Sequence, residues 1–184
     1  TITHDVINPA TEQPITSITL GSSDEVGQAV IAARAAFASF STSPQAERLA
    51  LLHAIVREYD ARHDDLAEAV SQEMGAPREF AHSKHVPLGR AHFTTIIDVL
   101  DNYSFVQPLG SGLIQREPIG VCGFITPWNW PLNQIACKVA PAIAAGCSMV
   151  LKPSEFTPLN AIIFTEIMQA AGVPAGVFNL VQGT

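Results

Sequence analysis

The sequence predicts an α/β fold: a helical amino-terminal region followed by a parallel βαβαβ unit. Three observations predict it. Apolar runs of strand length recur at Ile119–Ile125, Cys147–Leu151 and Val177–Val181, rich in β-branched residues and bounded by turn formers. Between them the apolar period changes to that of a helix. Leu132, Ile135, Ala136, Val139, Ala140 and Ile143 form one continuous stripe, and Leu159, Ile162, Ile163, Ile167 and Ala170 form the next. Punctuation sits where the switches occur, with Gly146 after the first helix and Gly172 and Pro174 after the second. Apolar strands alternating with amphipathic helices imply a parallel sheet covered on both faces with right-handed crossovers, half of a Rossmann-like dinucleotide-binding sheet.

The preceding elements follow from the same signals. Residues Thr1–Gly21 carry Thr, Ile and Val around Asn8-Pro9-Ala10-Thr11, which reads as extended segments about a turn. Ser22 and Glu25 have capping-box spacing, and Val26, Val30, Ala33, Phe37 and Phe40 trace one helix face behind them. Ser43-Pro44 starts a second helix with Leu49, Leu52, Val56 and Tyr59 inward. A third covers about Asp64–Met74 and stops at Gly75, and a fourth follows Pro87 with Phe93, Ile96, Ile97 and Leu100 inward. Tyr103–Gln115 reads as a connection containing a strand. Strand Ile119–Ile125 is expected to be buried, and Thr157-Pro158 has the N-cap-then-proline pattern of a helix start. Two regions result: residues 1–117, extended segments and packing helices, and residues 118–184, the nucleotide half. No internal repeat or low-complexity tract interrupts them.

Composition narrows the function classes. Of 184 residues, 47% are hydrophobic and only 15% charged, against about 25% charged in an average soluble domain. So apolar a chain is expected to bury surface against something further. No run approaches the roughly 18 apolar residues of a membrane span, and no secretory leader pattern opens the chain. A formal charge of -7 argues against nucleic acid and anionic membrane as partners. His82, His85 and His92 match no strong zinc spacing and have no cysteine beside them, so no metal is expected and they read as solvated helix histidines. Cys122, Cys137 and Cys147 read as small buried hydrophobes without a cation close enough to favour the thiolate. Their apolar neighbours and the lack of a leader pattern suggest a reducing, cytoplasmic compartment.

In open parallel sheets ligands sit beyond the carboxyl ends of the strands. Thr126-Pro127-Trp128-Asn129-Trp130-Pro131 leaves the first strand at that end, and Lys152-Pro153-Ser154-Glu155 leaves the second, so the two segments should line one crevice. Lys152 offers a cation, Glu155 an acceptor for a ribose diol, and Asn129 an amide donor fixed between two Trp and two Pro residues. Each has a plain alternative: a solvated strand end for Lys152 and Glu155, a turn before a helix for Asn129, an exposed helical lysine for Lys138. No G-x-G-x-x-G follows the first strand, and the pattern alone leaves the ligand unspecified.

Glu117-Pro118-Ile119-Gly120-Val121, Pro127-Trp128-Asn129-Trp130-Pro131-Leu132, Lys138-Val139-Ala140-Pro141-Ala142 and Gly146 through Lys152-Pro153-Ser154-Glu155 resemble the amino-terminal part of an NAD(P)-dependent aldehyde dehydrogenase. So do Asn8-Pro9-Ala10-Thr11 and Glu73-Met74-Gly75-Ala76-Pro77. The resemblance covers essentially the whole chain and is densest in its last third. It implies oxidation of an aldehyde to a carboxylic acid: a cysteine thiolate attacks, a side-chain amide and a backbone N–H hold the oxyanion, hydride passes to nicotinamide, and a glutamate activates the water that hydrolyses the thioester. Carried onto this sequence, Asn129 is the amide, Lys152 and Glu155 hold the adenosine ribose, and Ile125, Thr126, Pro127 and Trp128 approach the cofactor. Glu155 disfavours a 2′-phosphate, so NAD is expected, with NADP as the alternative that the Ser154 hydroxyl leaves open. The resemblance also implies a homo-oligomer for the complete protein. None of the three cysteines has the family's glycine-glutamine context, so the nucleophile, the general-base glutamate and the catalytic domain are expected outside these residues. The expectation is an incomplete aldehyde dehydrogenase fold, inactive on its own. The alternative is a non-catalytic nucleotide-binding or interaction module.

Overall fold

The computed structural model describes residues 2–184; Thr1, the start of the expected extended segment, lies outside the described residues. Strands β1 (Ile2–Asn8) and β2 (Gln13–Leu20) pair antiparallel. Their turn is an Asx turn, in which Asn8 Oδ1 accepts from Ala10 N at 2.9 Å and Thr11 N at 3.2 Å. Helices α1 (Ser23–Phe40), α2 (Gln45–Ala61) and α3 (His63–Met74) follow. Ser22 and Glu25 form the expected capping box, and Gly75 ends α3 with φ +79°. Val26, expected inward, is exposed, because α1 meets the sheet only from its second turn on.

The fourth helix begins earlier than Pro87. A single turn, α4 (Arg78–Phe80), runs into a π turn (Ala81–His85) and then α5 (Val86–Asp101). Proline has no N–H for the helical ladder. The wider π turn, closed by Val86 N–H on Ala81 O, carries the backbone past Pro87. Tyr103–Gln115 holds two strands rather than one, the hairpin β3 (Val106–Leu109) and β4 (Gly112–Gln115).

The expected βαβαβ unit is present as β5 (Val121–Ile125), α6 (Pro131–Ala145), β6 (Ser148–Lys152), α7 (Leu159–Ala170) and β7 (Phe178–Leu180). The strands are parallel in the order β5-β6-β7. Two expectations about β5 are overturned. It starts at Val121, after Gly120 with φ +126°, and it is not buried: Ile119 is 90% and Ile125 75% exposed. Among the described residues it is an edge strand with only β6 beside it, so a run of apolar side chains does not by itself place it inside.

Both faces of the sheet are covered. Ser148 Oγ donates to Ala33 O of α1 at 2.7 Å. Met149 and Leu151, at alternate positions, are fully buried with α6 and α7. One core runs from Leu52, Tyr59, Leu66 and Phe93 of the amino-terminal helices into Leu132, Ile135, Met149 and Phe164.

Gly89 sets how closely α5 approaches α6. A Cβ there would lie 2.4 Å from Tyr59 Oη and 3.2 Å from Leu132 Cβ. Tyr59 is buried, and its hydroxyl is held on Val86 O at 3.1 Å. Alanine would gain about 1 kcal/mol of helix propensity over glycine, but overpacking of such a contact costs about 1–3 kcal/mol, and both neighbours are fully buried. Gly89→Ala is therefore expected to lower the free energy of chemical unfolding; a more stable variant would show that the contact relaxes.

Candidate functional site

The ends of β5 and β6 meet as the sequence suggests. Ile125 pairs with Lys152 in register, and Thr126 N–H donates to Lys152 O at 3.1 Å. The hydrogen bond brings the loop after each strand to one crevice. Thr126 is buried, while Pro127, Trp128 and Asn129 are exposed. Among the described residues the Asn129 carboxamide has no hydrogen-bond partner, so both its donors are open to a ligand.

On the β6 side, Lys152 Nζ donates to Gly183 O at 2.8 Å and stands 3.9 Å from Glu155 Oε2. Ser154 is buried; its Oγ donates to Glu155 Oε2 at 3.4 Å and accepts from Phe156 N–H at 3.3 Å. These contacts close Lys152-Pro153-Ser154-Glu155 into a compact turn with its cation and carboxylate side by side, both half-buried. A cavity of about 380 Å³ adjoins it, lined by Trp128, Glu155, Phe156 and Thr157 from the sheet end, Glu73 and Met74 from α3, and Ile7 from β1.

The start of α7 differs from expectation. Thr157 is expected to cap it, but its Oγ1 is buried without a partner among the described residues, and the helix begins at Leu159. The cap comes from α3. The Glu73 carboxylate accepts from Leu159 N–H at 2.6 Å, Asn160 N–H at 2.9 Å and Asn160 Nδ2 at 2.6 Å. Glu73 is only 3% exposed, and burial pushes its carboxyl up to about 7 against the downward pull of those three donors. In the sequence Glu73 stands only within the Glu73-Met74-Gly75-Ala76-Pro77 motif, with no role of its own. A carboxylate 86 residues from its partner leaves no local signal.

The histidines and cysteines also depart from expectation. His82 is exposed, but His85 is 1% exposed and His92 Nε2 donates to Asn133 Oδ1 at 2.6 Å. The π turn rotates His85 inward against Trp130, which periodicity counted from Pro87 does not anticipate. Cys147 is buried, and Cys122 and Cys137 are half-buried. Burial first, then the neighbouring Cys147, pushes the Cys122 thiol up to about 11, away from the thiolate. Cys137 does have a cation beside it, contrary to expectation: Lys138 Nζ lies 3.6 Å from its Sγ. Lys138 also donates to Gln134 O at 3.0 Å and Gln134 Oε1 at 3.1 Å, folded back along its own helix. Among the described residues no group of three or more His, Cys, Asp or Glu side chains is arranged to hold a metal, and no helix is long and apolar enough to cross a membrane.

Known proteins share the sequence and fold of this chain. The chain is 51% identical over 180 residues to 3-succinoylsemialdehyde-pyridine dehydrogenase of a Pseudomonas species, which covers 97% of this chain and 38% of that protein. Its fold matches a variant of aldehyde dehydrogenase C from Pseudomonas syringae, solved with NAD+ and octanal, with a TM-score of 0.98 and 48% identity over 100% of this chain and 38% of the other. It also matches betaine aldehyde dehydrogenase of Staphylococcus aureus, solved with NAD+, with a TM-score of 0.94 and 33% identity over 99% of this chain and 37% of the other. The chain thus spans about 38% of the length of the relatives it matches. The sequence profile of the aldehyde dehydrogenase family matches residues 2–184. The chain belongs to the aldehyde dehydrogenase family.

Proposed function

We propose that this chain supplies the amide oxyanion donor and the first half of the cofactor site of an NAD-dependent aldehyde dehydrogenase. The observation that carries the reading is the meeting of the two loops at one sheet end, Ile125 and Thr126 against Lys152, with Asn129 unbonded on one side and the Lys152–Glu155 pair on the other. In this reading residues 118–184 are the beginning of the NAD-binding domain, and residues 1–117 are the packing region around it. Lys152 and Glu155 hold the adenosine ribose. Lys152 donates from a position already fixed by Gly183 O, and Glu155 accepts from the diol, which favours NAD over NADP. Backbone from Ile125 to Trp128 lies along the cofactor, with Ser154 fixing the turn.

Bound NAD supplies the hydride acceptor; this chain's residues bind and orient it and place a donor at the developing oxyanion. The Asn129 carboxamide is exposed and uncommitted, as such a donor has to be before substrate arrives. The substrate is an aldehyde, the setting cytoplasmic and the complete protein a homo-oligomer. No cysteine of these 184 residues is placed as the nucleophile, so the chain alone is expected to produce no NADH from an aldehyde.

Titration of NAD into the chain, followed by tryptophan fluorescence and calorimetry, tests the reading. Lys152→Ala is expected to weaken NAD at least about tenfold, the loss of one charge-assisted hydrogen bond. Unchanged affinity would remove Lys152 from the site.

A further inference from the structure

Building on the reading of Asn129 as the amide donor, the geometry points to His85 as a positioning residue for that amide: its ring, stacked on Trp130, holds the backbone turn that presents Asn129.

Trp130 lies directly between Asn129 and Pro131 and has φ 57° and ψ 51°, the left-handed region. A bulky side chain is uncommon there, and such a turn persists only where its surroundings fix it. The Asn129 side chain has no bond of its own among the described residues, so its direction is inherited from this backbone.

The indole is what the protein grips. The His85 imidazole lies 4.1 Å from it at 17°, a parallel stack. Phe80 meets the indole edge-on at 5.6 Å and the imidazole edge-on at 5.4 Å. All three aromatic contacts come from the short helical turn and π turn that precede α5. A second tie, His92 to Asn133 at 2.6 Å, pins α5 to the first turn of α6, so the platform and the loop it supports keep one spacing.

His85 is also an unexpected residue for a packing role. It is 1% exposed, and its Nδ1 is buried without a hydrogen-bond partner among the described residues. A buried polar atom left unpaired is costly, and an aliphatic side chain would avoid that cost. The flat face that an aliphatic residue lacks is the property used here. Burial lowers the imidazole's proton affinity, which favours the neutral ring in the stack. π turns re-aim single side chains and recur beside functional sites.

The test uses His85→Ala, His85→Leu and His85→Phe, with Asn129→Ala as the reference. In the complete gene product, kcat for aldehyde oxidation is expected to fall about tenfold in His85→Ala and His85→Leu, with KM for NAD within about twofold. His85→Phe keeps a flat ring and should restore kcat. Leucine fills the same volume, so its failure together with phenylalanine's success separates ring stacking from simple packing. In the 184-residue chain, the heteronuclear NOE of the Asn129 side-chain amide should drop in the alanine and leucine variants and recover in the phenylalanine one. If Asn129→Ala is severely impaired while His85→Ala and His85→Leu keep kcat, the positioning role is overturned and the Asn129 reading stands. If His85→Phe fails to rescue, the role is overturned as well. If Asn129→Ala itself keeps kcat, the donor reading fails, and the amide NOE alone judges whether His85 holds the turn: unchanged order in His85→Leu overturns it.

Discussion

Asn129→Ala in the complete gene product is expected to lower kcat by about 10²–10³ while leaving the affinity for NAD within about twofold. The residue is exposed, and among the described residues its carboxamide has no hydrogen-bond partner. Its removal therefore neither opens a cavity nor strands a buried partner, and folding stability should be unchanged. A loss of about 3–4 kcal/mol of transition-state stabilisation would then be a loss of donation to the oxyanion alone. Steady-state kinetics beside a denaturation curve settle it. An active variant would mean that Asn129 only shapes the turn before α6.

The second large effect concerns Glu73. Three donors of the α7 start converge on its buried carboxylate. Glu73→Ala leaves the two backbone N–H groups unpaired and Asn160 Nδ2 with only Thr157 O, at a cost of about 3 kcal/mol or more. Because α7 begins directly behind Lys152-Pro153-Ser154-Glu155, the loss should also loosen that turn. The pH dependence has a definite sign. The Glu73 carboxyl is raised from 4.5 to about 7 in the folded chain, so the folded state binds its proton more tightly than the unfolded state. Its contribution is fully present below about pH 4.5 and is lost as pH rises through about 7, a change of roughly 3 kcal/mol. Glu73→Gln cannot titrate. Its unfolding free energy should be flatter than that of the unmodified chain between pH 5 and 8, and the difference between the two curves isolates this group. Parallel curves would show that the three donors keep the carboxylate ionised throughout.

Local chemistry was legible in the sequence, and distant chemistry was not. The capping box of Ser22 and Glu25, the stop at Gly75 and the stripe of α6 are encoded within a few residues of where they act, and each is found in place. The meeting of Ile125 with Lys152 was legible too, because parallel strands with helical crossovers bring their carboxyl ends to one side. The Glu73 cap, the stack of His85 on Trp130 and the cation beside Cys137 were not. The first joins residues 86 apart, the second depends on one extra residue in a helical turn, and the third on a lysine folding back along its own helix. The exposure of β5 was misread because hydropathy reports what a segment can bury against, not whether a neighbour is there.

The covering of the sheet by α1 has a consequence for synthesis. The hydroxyl that Ala33 O receives belongs to Ser148, 115 residues later, and Gly21 N–H waits for Gln182 O at 2.8 Å. A ribosome adding about 5–20 residues each second makes α1 on the order of ten seconds before the strand it rests on. During that interval the side of α1 bearing Ala33, Phe37 and Phe40 has no sheet to lie against. The earliest helix is thus among the last to be sheltered.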